Sequence, residues 1–152
     1  MSRFQYLLAS SERVLLTLWV GGMWFLGYIV VPLLFNTLES RPLAGMVAGH
    51  LFTAIHYTGL VCGVLLLVIV LTDVGRRRAA VAWILIVMLA LVVVNQFLLQ
   101  PMMAELKFEG LVEGGEVAAH FAKLHGVSSV LYLVASVLGL VLVLRQGSSL
   151  SS

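Results

Sequence analysis

Four apolar runs, at about 14–35, 47–71, 79–99 and 126–144, constrain this chain more than anything else in it. A helix needs about 20 mainly apolar residues to cross a bilayer, and each run meets that length. Run length also argues against barrel strands, which alternate over about ten residues. In lipid the backbone must pair its own polar groups, so each run is predicted to be a helix. Composition agrees, since 61% of the 152 residues are hydrophobic and 11% are charged. Soluble domains carry about 25% charged residues. The expected fold class is an all-α membrane protein, a four-transmembrane-helix bundle. It forms one domain over residues 1–146, followed by a small, polar, disordered tail over 147–152.

The segments between the runs carry helix punctuation. Ser10 or Ser11 can cap the first helix, with Glu12 in its first turn. Pro32 is expected to kink or end that helix. Ser40 and Pro42 read as the cap and first turn of the second helix. In the third loop, Met102, Met103 and Leu106 stand at helical spacing, so part of it reads as a short amphipathic helix. A further helix from about residue 116 should run straight into the fourth span. The first run is too long for a signal-peptide apolar region and lacks a small-residue cleavage pattern, so it reads as an uncleaved span.

Orientation follows from the basic residues. Arg3, Arg13, Arg76, Arg77, Arg78 and Arg145 fall on the side of the termini and second loop. Only Arg41, Lys107 and Lys123 fall on the other side. Both termini and the Arg76–Arg78 loop are therefore expected in the cytoplasm. The acidic third loop is expected to be periplasmic or extracellular. All four histidines, His50, His56, His120 and His125, then gather at the outer side, together with Asn95, Gln96 and Gln100.

Helical angles refine this distribution. Gly45, Gly49, Phe52, His56, Gly59 and Gly63 share one face of the second span. Small residues at this spacing let helices approach closely, and they offer faces for homo-oligomers. His125, Ser128, Ser129, Tyr132, Ser136 and Gly139 share a face of the fourth span, and Thr17, Gly21, Trp24, Tyr28 and Pro32 share one of the first. The expected outer-half pocket joins His56, Asn95, His125, Ser128, Tyr132 and Tyr28. An ionisable group within a span is costly and by default marks a functional site. The plainer reading makes these residues interhelical glue. Serines often bond back to their own helix, and His56 and His125 can be neutral partners of Asn95 or Tyr132. The tryptophans Trp19, Trp24 and Trp83 read as packing or interface residues. Cys62 lies alone in an apolar run and reads as a small buried hydrophobe.

The run His125-Gly126-Val127-Ser128-Ser129 after Phe121 resembles the transmembrane protein 205-like family. Asn95 followed by Pro101 fits the same family, as do Trp19-Val20-Gly21-Gly22, Pro32 with Phe35, Arg41 before Leu43-Ala44-Gly45, and Leu51-Phe52. The resemblance covers nearly the whole chain and implies a four-span protein of the bacterial inner membrane. In layout alone the chain also looks like copper-resistance D-type membrane proteins and small four-span haem-linked protoporphyrinogen oxidases. Those families carry a histidine in the first span, whereas residues 14–35 here contain none.

Three functions compete. The first is metal handling or metal tolerance, with His56 and His125 as ligands between spans two and four. Imidazole and thioether sulfur suit copper, and imidazole also suits zinc or haem iron. Met102 and Met103 adjoin this region. The second is a haem- or quinone-linked redox protein, because four-helix bundles hold cofactors between facing helices. The third is a non-enzymatic scaffold that binds lipid or a protein partner. No nucleophile–base pair or phosphate-binding loop is visible, which weighs against an enzyme. The lipid bilayer is the one certain surrounding. Arg76-Arg77-Arg78 is too short a basic run to form a nucleic-acid surface.

Overall fold

The connections are so short that consecutive spans must pack as antiparallel neighbours. The computed structural model describes residues 3–72, 76–110 and 115–147. Within them lie four long apolar helices: α1 (Tyr6–Thr37), α2 (Arg41–Leu71), α3 (Ala79–Phe108) and α4 (Glu116–Arg145). Each has 30–32 residues, which is about 45–48 Å at 1.5 Å per residue. A hydrocarbon core is about 30 Å thick, so the helix ends reach into the headgroup layers. Helices α1 and α2 form one hairpin and α3 and α4 a second. The turns of both hairpins lie at the same end of the bundle, called here the hairpin end. Helix α2 packs closely on α3, while α4 meets α1 along a narrower seam.

Helix boundaries differ from the sequence expectation where apolar length was the guide. The first helix already begins at Arg3. Ser10, Ser11 and Glu12 therefore lie inside it rather than capping it, and Glu12 is buried. Among the described residues no separate amphipathic helix follows the third span. Helix α3 continues without a break through Met102, Met103 and Leu106 to Glu109, where Gly110 (φ 93°) ends it. Only glycine adopts that backbone readily. At α2 the expected cap is present, since Leu43 N–H donates to Ser40 Oγ at 3.3 Å. The helix that starts at Glu116 does run into the fourth span. The residue 73–75 loop, the side chains of Arg76, Arg77 and Arg78, and tail residues 148–152 lie outside the described residues.

Three stretches wind more loosely, as π-turns: Thr17–Gly21 and Leu26–Val30 in α1, and Asn95–Leu99 in α3. Proline explains two of them. It has no N–H, and its ring clashes with the carbonyl four residues back. The helix responds by widening just before Pro32 and just before Pro101. Val31 N–H reaches back to Leu26 O, and Gln100 N–H reaches back to Asn95 O. The third π-turn precedes no proline and ends at Gly21-Gly22.

These two proline turns belong to an internal repeat with an offset of 69 residues. It pairs Pro32 with Pro101, and the π-turn at 26–30 with that at 95–99. The same offset pairs the fully buried Trp19 with the fully buried Met88, and likewise Leu16 with Leu85 and Met23 with Val92. In the second helices it pairs Phe52 and His56 with Phe121 and His125. Each half is thus a proline-widened helix followed by a long helix carrying Phe-x-x-x-His.

Trp19 fills the centre of the bundle against Gly59 and Gly63 of α2. A Cβ added at Gly63 would stand 2.8 Å from the Trp19 ring and 2.6 Å from Leu89. The glycine stripe is therefore packed at Gly59 and Gly63. Its upper half is not, because Gly49 meets nothing within 4 Å and Gly45 meets only Phe35, at 3.9 Å. Val61, Leu65 and Val68 on α2 and Val130, Val134 and Val137 on α4 are exposed, as lipid-facing positions should be. Gly63→Ala is expected to destabilise the bundle by about 1–3 kcal/mol through overpacking. Gly49→Ala is expected to leave it unchanged or slightly more stable. Thermal unfolding in detergent should separate the two.

Candidate functional site

Proline-driven widening of α3 presents two polar neighbours, Asn95 and Gln96, to two different helices. Asn95 is buried and faces α4. Its Nδ2 donates to Ser128 O at 3.2 Å, and Ser128 Oγ donates to Asn95 Oδ1 at 2.7 Å. Gln96 faces α2, where its Oε1 lies 3.0 Å from His56 Nδ1. An amide oxygen can only accept, so Nδ1 carries the proton and donates. In the neutral ring Nε2 is then the lone-pair nitrogen. His56 itself is 4% exposed.

Tyr132 closes the opposite side of this cluster. Its hydroxyl donates to Met23 O at 2.6 Å. The ring lies against Gly27, where an added Cβ would be 2.5 Å from it. Phe52 meets Tyr132 edge-on, with centroids 5.1 Å apart, and His56 lies 6.3 Å from the same ring. One turn deeper, Trp24 Nε1 donates to Ser136 O at 3.2 Å and fastens α1 to α4. Ser136 and Ser129 bond back to carbonyls of their own helix, at Tyr132 and His125.

Among the described residues no buried side-chain nitrogen or oxygen lacks a partner. The space between His56, Asn95, Tyr132, Met23, Val92 and Ala135 is a cavity of about 10 Å³. That is about the size needed for one water molecule. Small-molecule pockets are about 300–1,000 Å³, and this space is much smaller.

The residues expected in one outer pocket divide into two groups. His56, Asn95, Ser128 and Tyr132 come together. Tyr28 stands at the rim, half exposed, with its ring 4.7 Å from Trp24 and 6.5 Å from Tyr132. His125 is on the exposed surface of α4, stacked on Phe121 at 6.0 Å with the rings 8° from parallel. His56 and His125 thus occupy different environments, one enclosed and one open. Among the described residues no group of three or more His, Cys, Asp or Glu stands close enough to hold a metal. His50 and His120 are exposed, Trp19 is core and Trp83 is exposed. Cys62 is buried and free.

Sequence reasoning missed the part played by Gln96. The sequence alone pairs His56 with Asn95 or Tyr132 and places Gln96 only as a polar residue near the span end. Its position beside Asn95, before a proline, was the available signal.

The fold and this enclosed cluster define a four-helix integral membrane bundle with a polar clasp inside its hairpin-end half. The chain belongs to the family described as Domain of unknown function (DUF4149), which matches residues 14–111. No curated protein and no solved structure matches it.

Interhelical hydrogen bonds in membranes contribute about 0.6–2 kcal/mol each. A double-mutant cycle of Asn95→Ala with Ser128→Ala is expected to give a coupling in that range. The cycle of His56→Ala with Gln96→Ala should do the same. Unfolding in mixed micelles measures both couplings, and values near zero would mean that the clasp does not hold the helices.

Proposed function

We propose that this protein is a non-enzymatic membrane binding module. Its interior is a structural clasp, and its work is done on the surface of the bundle at the hairpin end, toward lipid or a membrane partner. One observation carries the reading: among the described residues every buried side-chain nitrogen and oxygen has a hydrogen-bond partner, on a side chain or a backbone carbonyl, around a cavity fit for a single water. The clasp commits His56 Nδ1, Gln96, Asn95, Ser128 and the Tyr132 hydroxyl to joining helices. The one lone pair at His56 Nε2 is not a ligand set, since among the described residues no group of three or more His, Cys, Asp or Glu gathers there. Polar groups that hydrogen-bond across helices in lipid serve as glue.

The exposed surface supports the second half of the reading. Trp24 and Tyr28 of α1 stand partly exposed, Tyr28 6.5 Å from Tyr132 of α4, and further toward the hairpin end of α4 Phe121 and His125 stack on one another. Tryptophan and tyrosine favour the membrane–water interface. By the basic-residue bias this end faces away from the cytoplasm, in a bacterial inner membrane. The relation to the transmembrane protein 205-like family belongs to the same proposal. Its main element, His125-Gly126-Val127-Ser128-Ser129, lies beyond residues 14–111.

The test is an absorbance spectrum and metal analysis of the detergent-purified protein, with His56→Ala beside wild type. The expected outcome is a colourless protein holding less than about 0.1 metal per chain, with His56→Ala altered in stability alone. A chromophore or metal present one per chain in wild type, and lost in His56→Ala, would overturn the proposal.

A further inference from the structure

The internal repeat places His125 where His56 stands in the other half, yet the two are treated differently. His56 is sealed by α3, whose Gln96 meets its ring. The counterpart of Gln96 in α1 is Gly27, 69 residues earlier, which has no side chain to offer. After Pro32, the last stretch of α1, Val31–Thr37, packs on α2 and has at most slight contact with α4. The seam between α4 and α1 therefore closes at Tyr132 and opens above it. His125 stands on α4 two turns above Tyr132, at nearly the same helical angle, and is exposed.

On α4 above Tyr132 the chemistry is specific, and α3 shares in it. Lys107 Nζ lies 5.4 Å from the centroid of the Phe121 ring, and the His125 ring stacks on that ring at 6.0 Å. An ammonium and an imidazole N–H thus flank one aromatic ring, at the point where the apolar run of α4 begins. Below them Trp24 and Tyr28, both partly exposed, wall the seam on the α1 side. Glu105 and Glu116 are exposed at the same end. The end as a whole is therefore not cationic, and attraction for an anion is local to Lys107 and His125.

We infer that the opened seam is a phospholipid site. The phosphodiester is held by Lys107 and His125 beside Phe121, and the upper acyl chain lies along the Trp24–Tyr28 wall. Charge-assisted bonds to phosphate are the strong kind. The flexible lysine stem lets its ammonium swing to meet a phosphate beside the ring. A bilayer supplies this group at the depth where His125 sits, with its apolar chains on the membrane side. The site rests on the surface-binding reading above and names its ligand.

Native mass spectrometry of the full chain, released from detergent, tests it. The probes are phosphatidylethanolamine and a phosphate-free glucosyl diacylglycerol with the same acyl chains. Wild type should retain one phosphatidylethanolamine and little glycolipid. His125→Ala and Lys107→Met should each lower that retention about ten-fold, while Lys107→Arg keeps it. Both positions are exposed, so unfolding temperatures should stay at the wild-type value. Soluble glycerophosphoethanolamine should not displace the lipid; displacement would mean that the free headgroup is the ligand and would overturn the phospholipid assignment. Equal retention of the glycolipid, or unchanged retention in both His125→Ala and Lys107→Met, would also overturn it. Those outcomes differ from failure of the broader reading, which a bound metal or chromophore at His56 would signal.

Discussion

Two missing N–H groups, those of Pro32 and Pro101, shape the upper half of this bundle. In lipid a helix cannot recruit bulk water to repair its ladder, so the break must be healed within the protein. Here it is healed by widening. The N–H before each proline reaches one residue further back than usual. The cost is a looser turn, and the yield is a change in which side chains face inward. In α3 the widened turn carries Asn95 toward α4 and Gln96 toward α2. In α1 it brings Gly27 against the Tyr132 ring and leaves the Met23 carbonyl to accept the Tyr132 hydroxyl. Such π-turns recur at functional sites. Here both lie at the level of the polar clasp.

The clasp and the tryptophan core divide the stabilising work by depth. Toward the termini, Trp19, Leu66, Leu85, Met88 and Leu142 pack with almost no exposure. Gly59, Gly63 and Gly139 supply the close approaches; a Cβ at Gly139 would come within 2.9 Å of Val20. Between apolar helices in lipid there is no hydrophobic drive to associate, so such packing and interhelical hydrogen bonds must serve instead. Toward the hairpin end the packing thins and hydrogen bonds take over. They link α2 to α3 through His56 and Gln96, α3 to α4 through Asn95 and Ser128, and α4 to α1 through Tyr132, Met23, Trp24 and Ser136. Three of the four neighbouring helix pairs are thereby tied.

Much of this was legible in the sequence, and the failures have physical causes. Apolar length is enough to read four helices, because lipid permits little else for runs of that size. Asn95, Ser128, Tyr132 and His56 were expected together, since helical angles place them on inward faces. The partner of His56 was not, because a regular 100° step does not describe a π-turn, and Gln96 falls on one. His125 misleads in the same way. Its angle on α4 is nearly that of Tyr132, yet angle says nothing about whether a neighbour covers the residue at that height. The course of Val31–Thr37, which packs on α2 and hardly meets α4, decides that. Ser10 and Ser11 looked like caps only because apolarity begins after them, whereas the helix begins before it.

The repeat turns these particulars into one argument about asymmetry. Two hairpins with the same proline, the same π-turn and the same Phe-x-x-x-His could have formed two equal seams. They do not, because the halves differ at two paired positions. The first half has Gly63 where the second has Tyr132, and Gly27 where the second has Gln96. Gly63 accepts the Trp19 ring and leaves His56 to be sealed by Gln96 from above. Tyr132 instead fills the α4–α1 seam at mid-depth, against Gly27, and nothing of equal size stands above it on α1. A glycine–tyrosine exchange and a glycine–glutamine exchange are thus enough to make one histidine part of the frame and leave its counterpart facing the membrane surface.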